Sequence, residues 1–518
     1  MAYLMGIDIG TTGTKTLLID EKGKVISSNT QEYPLYIPKP NWAEQNPEDW
    51  WQATIKSIRK VLADSKVKCE DIKGIGLSGQ MHGSVFIDKE YNVLRPCILW
   101  CDQRTARQCE YITNKIGKER LIQLTCNPAL TGFTAGKVLW VRENEPEVYE
   151  KTYKILLPKD YIRFKLTGSF ATEVSDASGT LFLDVRKRKW SDEVLEELDI
   201  DKNFMPECFE SPVISGRITK KVSELTGLKV GTPVVGGGGD NAAAAVGSGI
   251  VKEGRVFSSI GTSGVVFAFS REVKVDPLVR VHTFCHAVPG TWHVMGVMLA
   301  AGGSLRWFRD SLGTEEVKEA KKRGVDPYEI LTEEASKVEP GCEGLIFLPY
   351  LSGERTPHAN PNAKGVFFGL SLKHKKAHLI RAVLEGVTFG LRDSLEIIKE
   401  MKIPVDEIRA VGGGARSSLW RQIQADIMNQ EIMTINVTEG AAFGAAILAG
   451  VGTGIYGSVE EACDNLIFPT SKTKPILENV EIYEGYYKVF RKLYPPLVES
   501  FDRVNELVTK YSERKNKS

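Results

Sequence analysis

Apolar residues fall in short runs along this chain, and the breaks between runs repeat. Residues 5–20, MGIDIGTTGTKTLLID, read as an apolar run, a Gly-Thr-Thr-Gly break and a second apolar run. Many flanking residues are β-branched, so the pattern predicts two strands joined by a tight, glycine-bounded turn. Residues 257–270, FSSIGTSGVVFAFS, repeat it about half a chain later, with Gly10, Thr11, Thr12 and Gly13 aligning on Gly261, Thr262, Ser263 and Gly264. Two tandem copies of one α/β domain are the simplest explanation, and a coincidental pair of hairpins is the alternative.

Further strands are predicted at 72–77 and 233–236. A long helix is predicted at 376–401, where Leu379, Val383, Val387, Leu391 and Leu395 recur every fourth residue along one stripe. The turn at 247–254 (GSGIVKEG) divides the copies into residues 1–249 and 250–518. Residues 481–518 read as helical, ending in a frayed tip, SERKNKS.

Composition narrows the function classes. A chain of 518 residues suggests at least two domains, and 42% hydrophobic with 26% charged residues is ordinary for a globular protein. Lysine plus arginine (67) nearly cancel aspartate plus glutamate (66), so no charge imbalance points to nucleic acid or a membrane surface. No stretch is apolar for long enough to span a membrane, and no secretory signal is visible. The expected location is the cytoplasm. The nine cysteines are scattered without a CxxC pair, which fits free thiols. Two histidine pairs have HxxxH spacing. His374 and His378 sit among lysines at a helix start, and His282 and His286 lie in a strand-like stretch where residues four apart are about 13 Å apart. Neither pair has an evident set of further ligands, so no protein-built metal cage is expected.

Four segments carry candidate chemistry. In the first, Asp8 precedes the Gly10–Gly13 loop, whose glycines let backbone N–H groups close on phosphate oxygens while Thr11 and Thr12 add donors. Asp8 is placed where a carboxylate could hold a hydrated magnesium ion. In the second loop Ser259 stands where the first has Asp8, which fits one metal-side loop and one phosphate-side loop (Gly261, Thr262, Ser263). In the third, a strand ends in four glycines, 236–239, before Asp240, Asn241 and an alanine run. Asp240 reads equally as a helix N-cap or as a catalytic carboxylate, which the helix terminus would keep ionised at pH 7. In the fourth, Gly412, Gly413 and Gly414 follow a strand-like run and would present flat backbone to an adenine or ribose, or simply turn the chain. Neither GxGxxG nor GxxxxGK[ST] is present, so no dinucleotide fold or P-loop is expected.

Taken together these segments resemble the FGGY carbohydrate kinases, of the wider superfamily that includes actin and the heat-shock chaperone ATPases. The likeness covers nearly the whole chain. Two family signatures appear in order: residues 132–144 (GFTAGKVLWVREN), and 365–370 (GVFFGL) with His378, Leu379 and 382–385 (AVLE). Within the family, the loop Gly79, Gln80, Met81, His82, Gly83 resembles the sugar loop of xylulokinases, as do LRPCILWCDQR (94–104), LPKD (157–160), HTFCH (282–286) and LPYLSGERTPH (348–358). Glycerol kinases would show Asn-Gln-Arg-Glu near position 80 and a tyrosine at position 132.

The resemblance implies two ribonuclease-H-like α/β domains with a cleft between them, the sugar on the N-terminal side and ATP with Mg²⁺ on the C-terminal side. It implies ATP-dependent phosphorylation of D-xylulose to D-xylulose 5-phosphate, with Asp240 as general base and Asp8 managing magnesium. Gln80, Met81, His82, Trp100, Asp240 and Asn241 are the implied sugar side. Thr11, Thr12, Gly13, Gly261, Thr262, Ser263, Gly412, Gly413 and Gly414 are the implied nucleotide side. His82 reads alternatively as a backbone-bonded loop histidine and Trp100 as a core residue. Asp102 and Arg104 read as a structural ion pair, and residues 352–355 (SGER) have no assigned role beyond nearness to the cleft. A kinase for another ketose or polyol, such as ribulose, is the second reading, and a nucleotide-dependent sensor without sugar turnover the third. A homodimer stays open.

Overall fold

The computed structural model describes residues 1–515. Two seven-stranded sheets organise it. In the first, strand Tyr3–Ile9 runs antiparallel to Gly13–Asp20 on one side and parallel to Ile72–Gly79 on the other. In the second, Gly254–Ile260 runs antiparallel to Gly264–Ser270 and parallel to Val405–Val411. Each sheet continues beyond its parallel neighbour with a second parallel strand (Pro233–Val235; Ile432–Ile435) and then an antiparallel edge (Ile214–Arg217; Pro469–Thr473). The repeat seen in the two glycine hairpins therefore extends through both sheets. The hairpins differ in one respect. Ile9 pairs with Thr14 but Ile260 with Gly264, so the second turn closes one residue tighter.

All strands of the first sheet lie within residues 3–239 and all strands of the second within 254–473, on either side of the turn expected at 247–254. One element does not respect that division. Helix Gly440–Gly452 packs on strands Tyr3–Ile9 and Ile72–Gly79 of the first sheet and against helix Asp240–Gly247. Small residues permit it, because a Cβ on Gly76 would lie 1.8 Å from the Ala445 carbonyl oxygen, and one on Gly444 1.8 Å from that of Ala243. Backbone meets backbone there.

The long helix is Lys376–Glu400, and it buries Val383, Val387, Leu391 and Leu395 against strand Ile346–Leu348 and helix Ser418–Met428. The C-terminal stretch forms helices Leu477–Leu493 and Val498–Lys515. Of the expected frayed tip, residues 516–518 lie outside the described range. All nine cysteines are free thiols. Among the described residues no helix is long and apolar enough to cross a membrane.

Candidate active site

The glycine run at 236–239 is shaped by close approach. Gly237 has φ +70°, and a Cβ on it would stand 1.9 Å from the Leu77 carbonyl oxygen. Arg163, buried, donates from Nη1 to the Val235 carbonyl (2.6 Å) and from Nη2 to the Gly236 carbonyl (2.5 Å). The Gly239 N–H donates to Ser175 Oγ at 3.0 Å, and Ser175 Oγ in turn donates to Glu173 at 3.0 Å. Behind the run, Lys159 is buried with Asp160 (2.7 Å), Asp176 (3.1 Å) and Glu173 (3.4 Å) around its ammonium. The run is thus held from behind by a buried charge cluster.

Asp240 opens helix Asp240–Gly247, but the cap itself is Gly239. Asp240 does not cap the helix; its Oδ1 accepts from the Asn241 N–H (2.7 Å) and Asn241 Nδ2 (2.9 Å). Its ionisation also departs from expectation. Burial, followed by the charge of Asp8, pushes its pKa up to about 7, because loss of solvent and a second carboxylate outweigh the helix terminus. Asp8 is likewise raised by burial, and its Oδ1 is buried without a hydrogen-bond partner. Two carboxylates both raised by burial, one of them with an unpartnered oxygen, form an acidic spot suited to a cation.

The 79–83 loop splits into three roles. Gln80 is 1% exposed and turns inward. Its Nε2 donates to Gln45 Oε1 (2.9 Å), and its Oε1 accepts from Thr11 Oγ1 (3.3 Å), so it braces the first glycine loop. Gln45 donates to the Thr11 carbonyl (2.7 Å), and the Trp100 indole N–H donates to Thr11 Oγ1 (3.0 Å). Met81 packs on the glycine run, 3.0 Å from where a Gly239 Cβ would be. His82, at φ +69°, holds its Nδ1 2.7 Å from the Gly179 carbonyl and stacks on Phe133 with centroids 4.7 Å apart. Burial, with Lys137 next, holds His82 well below the usual histidine pKa. A neutral ring facing a carbonyl through Nδ1 carries its proton there, leaving Nε2 as an acceptor.

On the opposite side lies a cavity of about 760 Å³, lined by Gly261, Thr262, Gly302, Gly303, Gly413 and Gly414 among others. Strand Val405–Val411 delivers the Gly412 turn (φ +80°), and helix Gly302–Ser311 starts beneath the second hairpin, where the Gly303 N–H donates to the Thr262 carbonyl at 3.0 Å. The lining comes wholly from the second half. Ser263, Gly412 and the first-loop residues Thr11, Thr12 and Gly13 are not part of it. The glycine pair 302–303, also on the wall, escaped sequence reading; the adjacent glycines after an apolar run were the available signal.

Arg104, Asp102 and the His282/His286 pair have protein partners of their own. Arg104 pairs with buried Asp102 at 2.7 Å and lies over the Trp42 ring, 3.6 Å from its centroid. His282 Nδ1 faces Asn127 Oδ1 (3.1 Å) and His286 Nε2 faces the Ile250 carbonyl (3.1 Å), so the two rings have separate partners.

Comparison with known proteins agrees with this layout. Residues 3–247 match the N-terminal domain of the FGGY family of carbohydrate kinases, and residues 256–453 match its C-terminal domain. The chain is 40% identical to the xylulose kinase of Bacillus subtilis (strain 168), covering 95% of this chain and 97% of that protein. It is 42% identical to the xylulose kinase of Escherichia coli (strain K12), covering 95% and 99%. The solved structure of ligand-bound xylulose kinase from Lactobacillus acidophilus superposes with a TM-score of 0.90 at 27% identity, covering 97% of this chain and all of that one (100%). With both halves matched in order and a kinase likeness along almost its entire length, the chain belongs to the FGGY family of carbohydrate kinases.

Proposed function

We propose that this kinase transfers the γ-phosphoryl group of ATP to D-xylulose, giving D-xylulose 5-phosphate and ADP. The observation that carries the reading is the packing of Met81 on Gly239, which joins the xylulokinase-like loop to the residue before Asp240. A sugar held by Met81 and His82 would thus be presented to the only carboxylate of the glycine run. The relatives at about 40% identity that bear the name xylulose kinase support the same substrate.

Asp240 is read as the general base. Its pKa of about 7 suits a group that must be free to take a proton near neutrality and return it. An aspartate cannot ionise an alcohol outright, so it orients the hydroxyl and accepts the proton late, as the oxygen bonds to phosphorus. Asn241 fixes one carboxylate oxygen and leaves the other for the substrate. His82 Nε2, as an acceptor, suits a further sugar hydroxyl. The second-half cavity is read as the ATP site, with Gly261, Thr262, Gly413 and Gly414 presenting backbone to the nucleotide. The first loop, tied down by Gln80, Gln45 and Trp100, would close on the phosphates from the other side.

The unpartnered Asp8 oxygen and its neighbouring carboxylate fit a hydrated Mg²⁺ ion, and Asp8 is the residue that would hold it. Bound there, Mg²⁺ would offset phosphate charge and draw both carboxylates toward their ionised forms.

The test is a panel of D-xylulose, D-ribulose, L-ribulose and glycerol, with ADP release measured for each. D-xylulose should give the highest kcat/KM, and Asp240→Ala should lose transfer while still binding ATP. A higher kcat/KM for another sugar overturns the substrate, and ordinary turnover by Asp240→Ala overturns the base.

A further inference from the structure

The segment SGER, 352–355, has no part in the chemistry above, yet it lies against the sugar side. Glu354 is 3% exposed. Its Oε1 accepts from the backbone N–H of Arg355 (2.7 Å) and of Leu299 (3.3 Å), and its Oε2 has no partner. The carboxyl is spent on backbone and does not pair with the neighbouring guanidinium. Among the described residues the Arg355 guanidinium makes no hydrogen bond and no ion pair. The side chain is only partly exposed, and burial draws its pKa below the usual arginine value. No group of the described residues accepts from the guanidinium, so its five N–H donors are free to take oxygen acceptors from a bound molecule.

Its place suggests what does. Arg355 belongs to the second half of the chain, but its Nη2 lies 3.3 Å from where a Cβ on Gly132 would stand. That same point is 2.8 Å from the Trp100 carbonyl oxygen, so only glycine leaves room for the guanidinium to lie along this wall. His82 stacks on Phe133, the next residue, and His282 lies 5.6 Å from Phe133 between centroids. The charge of Arg355 contributes to keeping both histidines neutral, after burial in each case and, at His82, after Lys137. The charge acting on Asp240 is instead Asp8. Arg355 also takes no part in lining the second-half cavity. Its donors therefore face the sugar loop and not the nucleotide.

We propose that Arg355 is a sugar-binding residue supplied by the second half, donating from its guanidinium to oxygen atoms of an uncharged polyhydroxylated substrate beside His82. It completes the sugar pocket across the cleft, so the pocket is whole only when the halves are together. This rests on the sugar-kinase reading of the site. Gly132 is its counterpart in the first half, the residue whose missing side chain admits it.

Steady-state kinetics on the full-length protein test the inference. Arg355→Gln should raise the KM for D-xylulose roughly 10- to 100-fold, the loss expected for hydrogen bonds from a charged donor, while the KM for ATP stays within about twofold. Arg355→Lys should recover part of the loss. Gly132→Ala, which puts a methyl group against Nη2 from the other half, should also raise the sugar KM. An unchanged sugar KM in Arg355→Gln overturns the proposal, as does a parallel rise of both KM values with a lowered melting temperature, the mark of an interface strut. If Arg355→Gln does not fold, Gly132→Ala decides, and an unchanged sugar KM there overturns it. If the wild type prefers another sugar of the panel, the comparison is made with that sugar. The substrate assignment then fails while the role of Arg355 is still decided.

Discussion

The hydroxyl of Ser175 accepts a hydrogen bond from the backbone N–H of Gly239, the residue immediately before Asp240, at 3.0 Å. Ser175 is fully buried and passes the contact on to Glu173, which faces the Lys159 ammonium. The position of Asp240 is thus set by a side chain more than sixty residues away in sequence. Ser175→Ala removes the acceptor without adding bulk. A buried N–H left unpaired costs about 1–3 kcal/mol, and a shift of the loop should lower kcat about tenfold with the KM for ATP unchanged. Steady-state kinetics check it, and a wild-type kcat would show that the glycine run holds its shape unaided.

Asp240 also makes stability depend on pH. Its pKa in the fold is about 7, against roughly 3.9 for a free aspartate. The folded protein binds this proton more tightly than the unfolded chain does. The contribution is therefore present at low pH and is lost as pH rises through about 7. Without divalent metal, Asp240→Asn should raise the melting temperature at pH 8 and change it little at pH 5. Equal shifts at both pH values would contradict the assignment.

Asp8 is the residue read as the magnesium ligand. Asp8→Asn keeps the shape and removes the charge. It should raise the magnesium concentration needed for half-maximal activity roughly tenfold or more, measured by titrating Mg²⁺ at fixed ATP. An unchanged titration curve places the ion elsewhere.

Gly413 has space around it, since a Cβ there would meet only the Ile260 carbonyl oxygen at 3.8 Å. Gly413→Val should fold and project its side chain into the cavity wall. The KM for ATP should rise by about an order of magnitude, with sugar affinity, measured by equilibrium binding without nucleotide, left as it was.

Gly6 offers a test of the packing between halves. A Cβ there would lie 1.8 Å from the carbonyl oxygen of Ala442 on the helix that crosses from the second half. Gly6→Ala must push that helix off the sheet, at a cost of about 1–3 kcal/mol or more. A fall in the denaturation midpoint is expected, and an unchanged midpoint would mean that the helix can slide without loss.

The legible features were local ones. The two hairpins were readable because a glycine-bounded break between apolar runs is a short-range signal, and the long helix because its stripe repeats every turn. The crossing helix Gly440–Gly452 was not, since its small residues matter only against Gly6 and Gly76, hundreds of residues away. Gln80 carried the right loop but not its direction: only the fold shows that it braces Thr11 from a buried position. Lys159, inside the LPKD motif, and Arg163, three residues after its end, hold the glycine run, and their neighbours in sequence do not show what they contact.

From its residue order alone this protein is a duplicated α/β chain with two glycine loops, a carboxylate after a glycine run, and motifs of a carbohydrate kinase. Those are properties of neighbouring residues, and local sterics and periodicity are enough to read them. The tertiary structure decided that Asp240 sits beside Asp8 with a pKa near neutrality, that Met81 touches the glycine run, and that Arg355 reaches Gly132 from the other half. Each of these depends on burial and on distances between segments far apart in the chain, and desolvation and charge proximity exist only once those segments have met.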